Sequence, residues 1–153
     1  MNTLTAKGNH ILSMSDGAIA KVRELEADLL SRTQVLIPTD HILHGGMYSR
    51  TIVIPAGVAI TGTLLKIATL LIISGDMCLY VDGVSHRMTG YNVFAGSAQR
   101  KQAGFAITDT AVTMIFKTDA KTVAEAEEEF TDEHHLLWSR ADGAVNNIIF
   151  TGE

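Results

Sequence analysis

Residues 57–75 read GVAITGTLLKIATLLIISG, and the reading of this stretch decides the fold. It is almost wholly apolar, with a single charge, Lys66, near its middle. A membrane span is the first reading to test. Val58 to Ile73 covers 16 residues, short of the roughly 20 that a spanning helix needs. Gly62, Lys66 and the threonines at 61, 63 and 69 fit a helix poorly. A buried pair of strands, Gly57–Leu65 and Ile67–Ser74, fits better.

What flanks the stretch agrees with β structure. Tyr48–Ile54 is β-prone and ends in the turn Pro55-Ala56-Gly57. Downstream, Gly75-Asp76 reads as a turn into Met77–Val81. Asp82-Gly83 is a two-residue hairpin signal, because a type I′ turn needs positive φ at both positions. Val84–Met88 and Tyr91–Ala95 follow, then strands at 100–106 and 110–117. Short strands with frequent turn signals predict an all-β barrel or sandwich. Before them, Ile19, Val22, Leu25 and Leu29 recur at helical spacing, so an amphipathic helix is expected over about 16–32. Residues 1–14 read as a flexible arm, Thr33–Pro38 as β-prone, and TDHILHGG (39–46) as loop or irregular edge. After Phe116, Thr122 and Glu125 stand at capping-box spacing. They predict a short acidic helix over 120–130, with Val123, Ala126 and Phe130 on its apolar side and Glu125–Glu129 as a solvated face. The apolar tail, with Trp138 and Ile148–Phe150, is expected to add an edge strand or dock on a second subunit.

Length and composition set bounds. A chain of 153 residues is expected to be one domain: arm and helix at 1–33, barrel at 34–118, helix and extension at 119–153. The net charge of −5 and the scarcity of aromatics argue against nucleic-acid binding, and no membrane association is expected. The lone Cys78 rules out an intramolecular disulfide and reads as a small buried hydrophobe. The opening stretch lacks the pattern of a signal peptide.

The segments YSRTIVIPAGVAITG (48–62) and LLIISGD (70–76), with the DG hairpin and Gly90 that follow, resemble the cupin superfamily. More narrowly they resemble small cupin-like proteins of bacteriophages. The match covers about residues 39–130. It implies a mainly β, cupin-like jelly-roll barrel, made in the cytoplasm of an infected bacterium and carried, in one version, into the virion. Gly57 and Gly75 frame the first cupin motif. Its ligand positions fall on Thr63 and Leu65, or in the phage-type register on Leu65, Ala68 and Thr69. The second motif's histidine falls on Lys101 or Gln99. None of these is a His or Glu, and a metal site needs three or four converging ligands. No metal and no other cofactor is therefore expected.

His41 and His44 form an H-x-x-H in the expected loop; His134-His135 and the strand residue His86 read as surface or packing groups. Lys66 was expected to turn outward at a bend. Arg100 and Lys101 read either as a solvated strand edge or as anion holders at the barrel mouth. Lys66, Arg100, His44 and Tyr48 are the candidate ligand-binding residues, and no catalytic residue is assigned. The reading is a non-catalytic, oligomeric structural or accessory phage protein, paired with itself and with other phage structural proteins. The alternative is a small-molecule-binding protein or metal-free isomerase or lyase using the barrel interior, and a metal-dependent dioxygenase is disfavoured.

Overall fold

The computed structural model describes residues 8–153; the first half of the expected arm, residues 1–7, lies outside them. The elements run β1 (His10–Ile11), α1 (Asp16–Leu30), β2 (Thr39–His44), β3 (Met47–Ile54), β4 (Ala59–Thr61), β5 (Thr69–Val81), β6 (Val84–Gly96), β7 (Ala103–Ala106), β8 (Thr110–Lys117), α2 (Val123–Phe130), two 3-10 turns (His134–Leu136 and Trp138–Arg140) and β9 (Asn146–Phe150).

A long antiparallel hairpin, β5–β6, is the frame. Its turn is the predicted one, with Asp82 at φ 45° and Gly83 at φ 88°. Gly75-Asp76 is not a turn between two strands, as expected, but a kink within one strand. Gly75 lies opposite Gly90, and both have positive φ, 148° and 77°. At this kink β5 changes partner on its other side. Leu70–Ser74 pairs with β8, and Met77–Tyr80 pairs with β7. The sheet thus splits into two layers that share the hairpin. One runs β9-β2-β3-β8-β5-β6-β1, the other β4-β7-β5-β6.

The layers close on one apolar core. Leu71, Ile73 and Phe94 come from the first, Met77, Leu79, Val81 and Met88 from the second, with Ile54 and Ala106 between them. Period-two alternation along β5 puts these residues inside. The result is a mainly β jelly-roll barrel with two helices, as the sequence predicts. Of the strands expected in the opening stretch, the first shrinks to β4. Thr33–Pro38 forms no strand, and Val35 and Leu36 are exposed.

TDHILHGG corrects the loop reading. It is strand β2, joined to β3 by a two-residue turn at Gly45-Gly46, both with positive φ. Thr39, His41 and Leu43 point inward and Asp40, Ile42 and His44 outward. Two inward polar residues hid this alternation.

Helix α1 starts at Ser15, whose hydroxyl accepts from Ala18 N at 3.2 Å and caps the helix. The same hydroxyl donates to Asp82 at 3.0 Å, which ties the helix to the hairpin turn. Ala18, Ile19 and Val22 pack with Leu64, Tyr80 and Ala103 on the outside of the second layer. Helix α2 is capped by Thr122 and lays Ala126 and Phe130 against Leu43, Tyr48, Met114 and Phe116. No described helix is long and apolar enough to cross a membrane.

Candidate functional site

The largest buried polar assembly joins β2 and β3 to α2 and the tail. It begins with side chains that strand parity sends inward: His41 on β2, Tyr48 and Arg50 on β3. Helix α2 adds Glu127, one residue after Ala126, and the tail adds Ser139, Arg140 and Asn146. Tyr48, His41 and Glu127 are 0%, 1% and 2% exposed.

Its hydrogen bonds fix the protons. Asn146 Nδ2 donates to Ser139 O at 2.9 Å, so Asn146 Oδ1 faces His41 Nε2 at 2.7 Å as an acceptor. The His41 proton therefore sits on Nε2, and Nδ1 accepts from the Tyr48 hydroxyl at 2.7 Å. Arg50 donates to Glu127 at 2.9 Å, to Ser139 Oγ at 3.0 Å and to Tyr48 at 3.3 Å, and its guanidinium lies 5.5 Å from the Phe130 ring centre. Arg140 Nε donates to the other Glu127 oxygen at 2.8 Å, and Ser139 donates to the same carboxylate. Burial pushes the Glu127 carboxyl up, but the bonds from Ser139, Arg140 and Arg50, with the Arg50 charge, outweigh it and hold the group below the usual range. Glu127 corrects the expectation of a solvated acidic face. Arg50 and Arg140 offset its burial.

The assembly has the residue types of acid–base chemistry, but its donors and acceptors point at one another. What it does is fasten α2 and the tail to the barrel. His41 makes this fastening sensitive to pH. Burial lowers its pKa, against the Asn146 hydrogen bond, which raises it; Arg50 adds a lowering effect, and Glu127 and Asp40 raising ones. The folded state therefore takes up this proton at lower pH than the unfolded chain, whose value is about 6.5. Its contribution is intact above that pH and declines as pH falls through it. Urea midpoints measured from neutral pH down to mildly acidic pH should fall, and His41→Gln should flatten that slope. An unchanged slope would remove His41 as the sensor.

The second assembly holds α1. Lys101, with its side chain fully buried, donates to Gly62 O at 2.8 Å and Glu26 at 2.9 Å and lies 3.6 Å from Glu133. Glu133 also accepts from Leu64 N at 2.8 Å and Arg23 at 2.7 Å. Burial raises the Glu133 pKa, yet these two bonds and the Lys101 and Arg23 charges bring it below normal.

The four candidate ligand-binding residues occupy separate surroundings. Tyr48 belongs to the first assembly. Arg100 is wholly buried at the barrel end, donating to Ser97 O, to Thr69 Oγ1 at 2.5 Å and to Gln102 Oε1 at 3.2 Å. Burial lowers its pKa to about 10. A solvated strand edge was the other reading of Arg100 and Lys101, and burial of both corrects it. Lys66 turns outward to Asp132 at 2.7 Å, an exposed pair of little energetic weight. His44 is exposed, with its Nδ1 2.7 Å from the Thr151 hydroxyl and 3.4 Å from Glu153. His41 and His44 share no face: three residues apart on a strand, His41 points in and His44 out. Arg140 Nη1 is 3.0 Å from His134 Nδ1, and Cys78 is half-buried.

Sequence reasoning missed Arg50, Glu127, Ser139, Arg140 and Asn146. Two of them left a signal. Glu127 lies within the helical stripe 123, 126, 127, 130, and Arg50 within the inward set 48, 50, 52, 54.

The cupin motif positions do not fit a metal. Leu65 packs against the core under α2, Thr69 accepts from Arg100, and Lys101 is ion-paired. Among the described residues no group of three or more His, Cys, Asp or Glu could hold an ion. The barrel interior is filled by Leu71, Ile73, Met77, Leu79 and Phe94. Two depressions lie on the outer faces of the barrel. One, of about 490 Å³, is lined by Leu70, Ala95 and Ile115; the other, of about 280 Å³, sits beside α1 over Cys78 and Tyr80.

The partner switch of β5 at Gly75, with the layers β3-β8-β5-β6 and β4-β7-β5-β6, decides the architecture. The fold is a mainly β jelly-roll barrel. No family model matches the chain, and no curated protein does. Among solved structures, the chain is similar to a cupin superfamily protein from Desulfitobacterium hafniense at 14% identity, over 61% of this chain and 87% of that one, with a TM-score of 0.46. It is similar to a cupin-2 domain protein from Shewanella frigidimarina at 8% identity, over 60% and 90%, with a TM-score of 0.44. Protein NMB1881 from Neisseria meningitidis is similar at 13% identity, over 61% and 96%, with a TM-score of 0.46.

Proposed function

We propose that this cupin-like chain is a non-catalytic, oligomeric structural or accessory protein, of the bacteriophage kind that its sequence resembles. One observation carries the reading. Where the cupin motifs would place ligands, the chain places packing groups, and its buried polar side chains serve to fasten helices and tail to the barrel. A binding site of ordinary kind needs a concave space with convergent polar groups, and the interior is apolar and filled. The extended tail, with exposed apolar residues, suits contact with further subunits.

Light scattering on the purified full chain tests this. A stable homo-oligomer, with no ligand-induced rise in melting temperature across a panel of sugars, carboxylates and phosphates, is expected. A monomer, or a large and saturable thermal shift with one compound, would overturn the reading.

A further inference from the structure

The open edge of β9 has a definite chemistry. Among the described residues β9 ends the sheet, and it pairs in parallel with β2. Thr39 N donates to Val145 O at 2.9 Å, and Thr151 N donates to Leu43 O at 3.3 Å. The odd-numbered residues 145–151 therefore turn their backbone groups toward β2. Backbone direction alternates along a strand, so the N–H and C=O groups of Asn146, Ile148 and Phe150 point to the open edge.

Edge strands of monomeric proteins are usually blunted by charge, proline, a bulge or brevity. At the other end of this sheet β1 is two residues long. β9 has no such device. Residues 143–151, GAVNNIIFT, contain no charge and no proline. All five strand residues are exposed, with Ile148, Ile149 and Phe150 at 56%, 58% and 55%.

The free groups match themselves. If two copies of β9 run antiparallel about a two-fold axis through Ile148, Ile148 faces its own copy and Asn146 faces Phe150 of the other chain. These are the residues with outward backbone groups, so each facing pair exchanges two bonds, about six in all. The isologous contact closes on itself and leaves no further edge there. It also covers Ile148 and Phe150 on one face and Ile149 on the other.

We propose that β9 is the subunit contact: a second copy of this chain pairs with it edge to edge, antiparallel and centred on Ile148. This rests on the oligomeric reading above and specifies its interface. Ile148→Pro removes an N–H that faces the open edge and none that bonds β2. The full-length variant should therefore keep its circular dichroism and become monomeric in light scattering, and Ile148→Lys should do the same by charge repulsion. In a Cys78→Ser background, Ile148→Cys should cross-link to itself on mild oxidation, since facing residues of such a pair lie about 5.5 Å apart. Asn147→Cys and Ile149→Cys, which would face each other rather than themselves, should not. Folded variants that stay oligomeric, or equal cross-linking at all three positions, would overturn this interface and leave the oligomeric reading standing. A monomeric parent chain at tens of micromolar would overturn both.

Discussion

Glu127→Ala is expected to destabilise the protein by about 3–5 kcal/mol, because it strips the carboxylate from a buried ion pair and leaves the cation behind. Glu127 and Arg50 side chains are 3% and 13% exposed, so solvent can do little to compensate Arg50. Ser139 loses its acceptor as well, and Arg140 keeps a partner in Glu128 at 3.2 Å. For a domain of this size the melting temperature should fall by about 6–20 °C. A double substitution separates the pair from the burial. Arg50→Met with Glu127→Leu should recover much of the loss, since well-packed apolar residues often replace a buried ion pair at little cost. A loss below about 1 kcal/mol for Glu127→Ala would mean that the pair behaves as a surface contact. Chemical denaturation at neutral pH reads both variants.

Gly75→Ala is the second large effect. A methyl group there would stand 2.5 Å from Thr110 Oγ1 and 2.8 Å from Thr110 Cα, at φ 148°. Thr110 has little room to yield. Its hydroxyl bonds Thr108 O at 2.9 Å and Asp76 N at 3.1 Å, and the residue is fully buried. Backbone strain of about 1–3 kcal/mol adds to an overlap of about 1–3 kcal/mol. Gly90→Ala is the control. Gly90 lies across the hairpin at φ 77° and has open space where the methyl would go, so it should show the strain without the overlap. Urea unfolding of the two variants compares them directly. Equal losses would mean that Gly75 is needed for its backbone angle and not for the approach of β8.

Both predictions fall where local pattern and tertiary contact part. The Asp82-Gly83 turn and the Thr122 cap of α2 were legible because each is decided within a few residues. The kink at Gly75 was misread as a turn. A positive φ is common to turns and bent strands, and only the partner across the sheet distinguishes them. β2 was misread because its inward polar residues, Thr39 and His41, break the apolar pattern. Arg50 and Glu127 lie 77 residues apart, and His41 and Asn146 lie 105 apart. No spacing rule links such pairs.

By itself, the stretch from Gly57 to Gly75 determined that the chain is β and that its centre is apolar, and both follow from side-chain chemistry and period. Its resemblance to the first cupin motif implies ligand positions that hold Thr63 and Leu65, or Leu65, Ala68 and Thr69. Tertiary structure decided which strands Gly75 brings together, that Glu127, Arg100 and Lys101 are buried, and that the tail becomes β9 beside β2. The reason is physical: burial of a charge and pairing of a strand depend on what the fold brings opposite each residue, and that partner lies far along the chain.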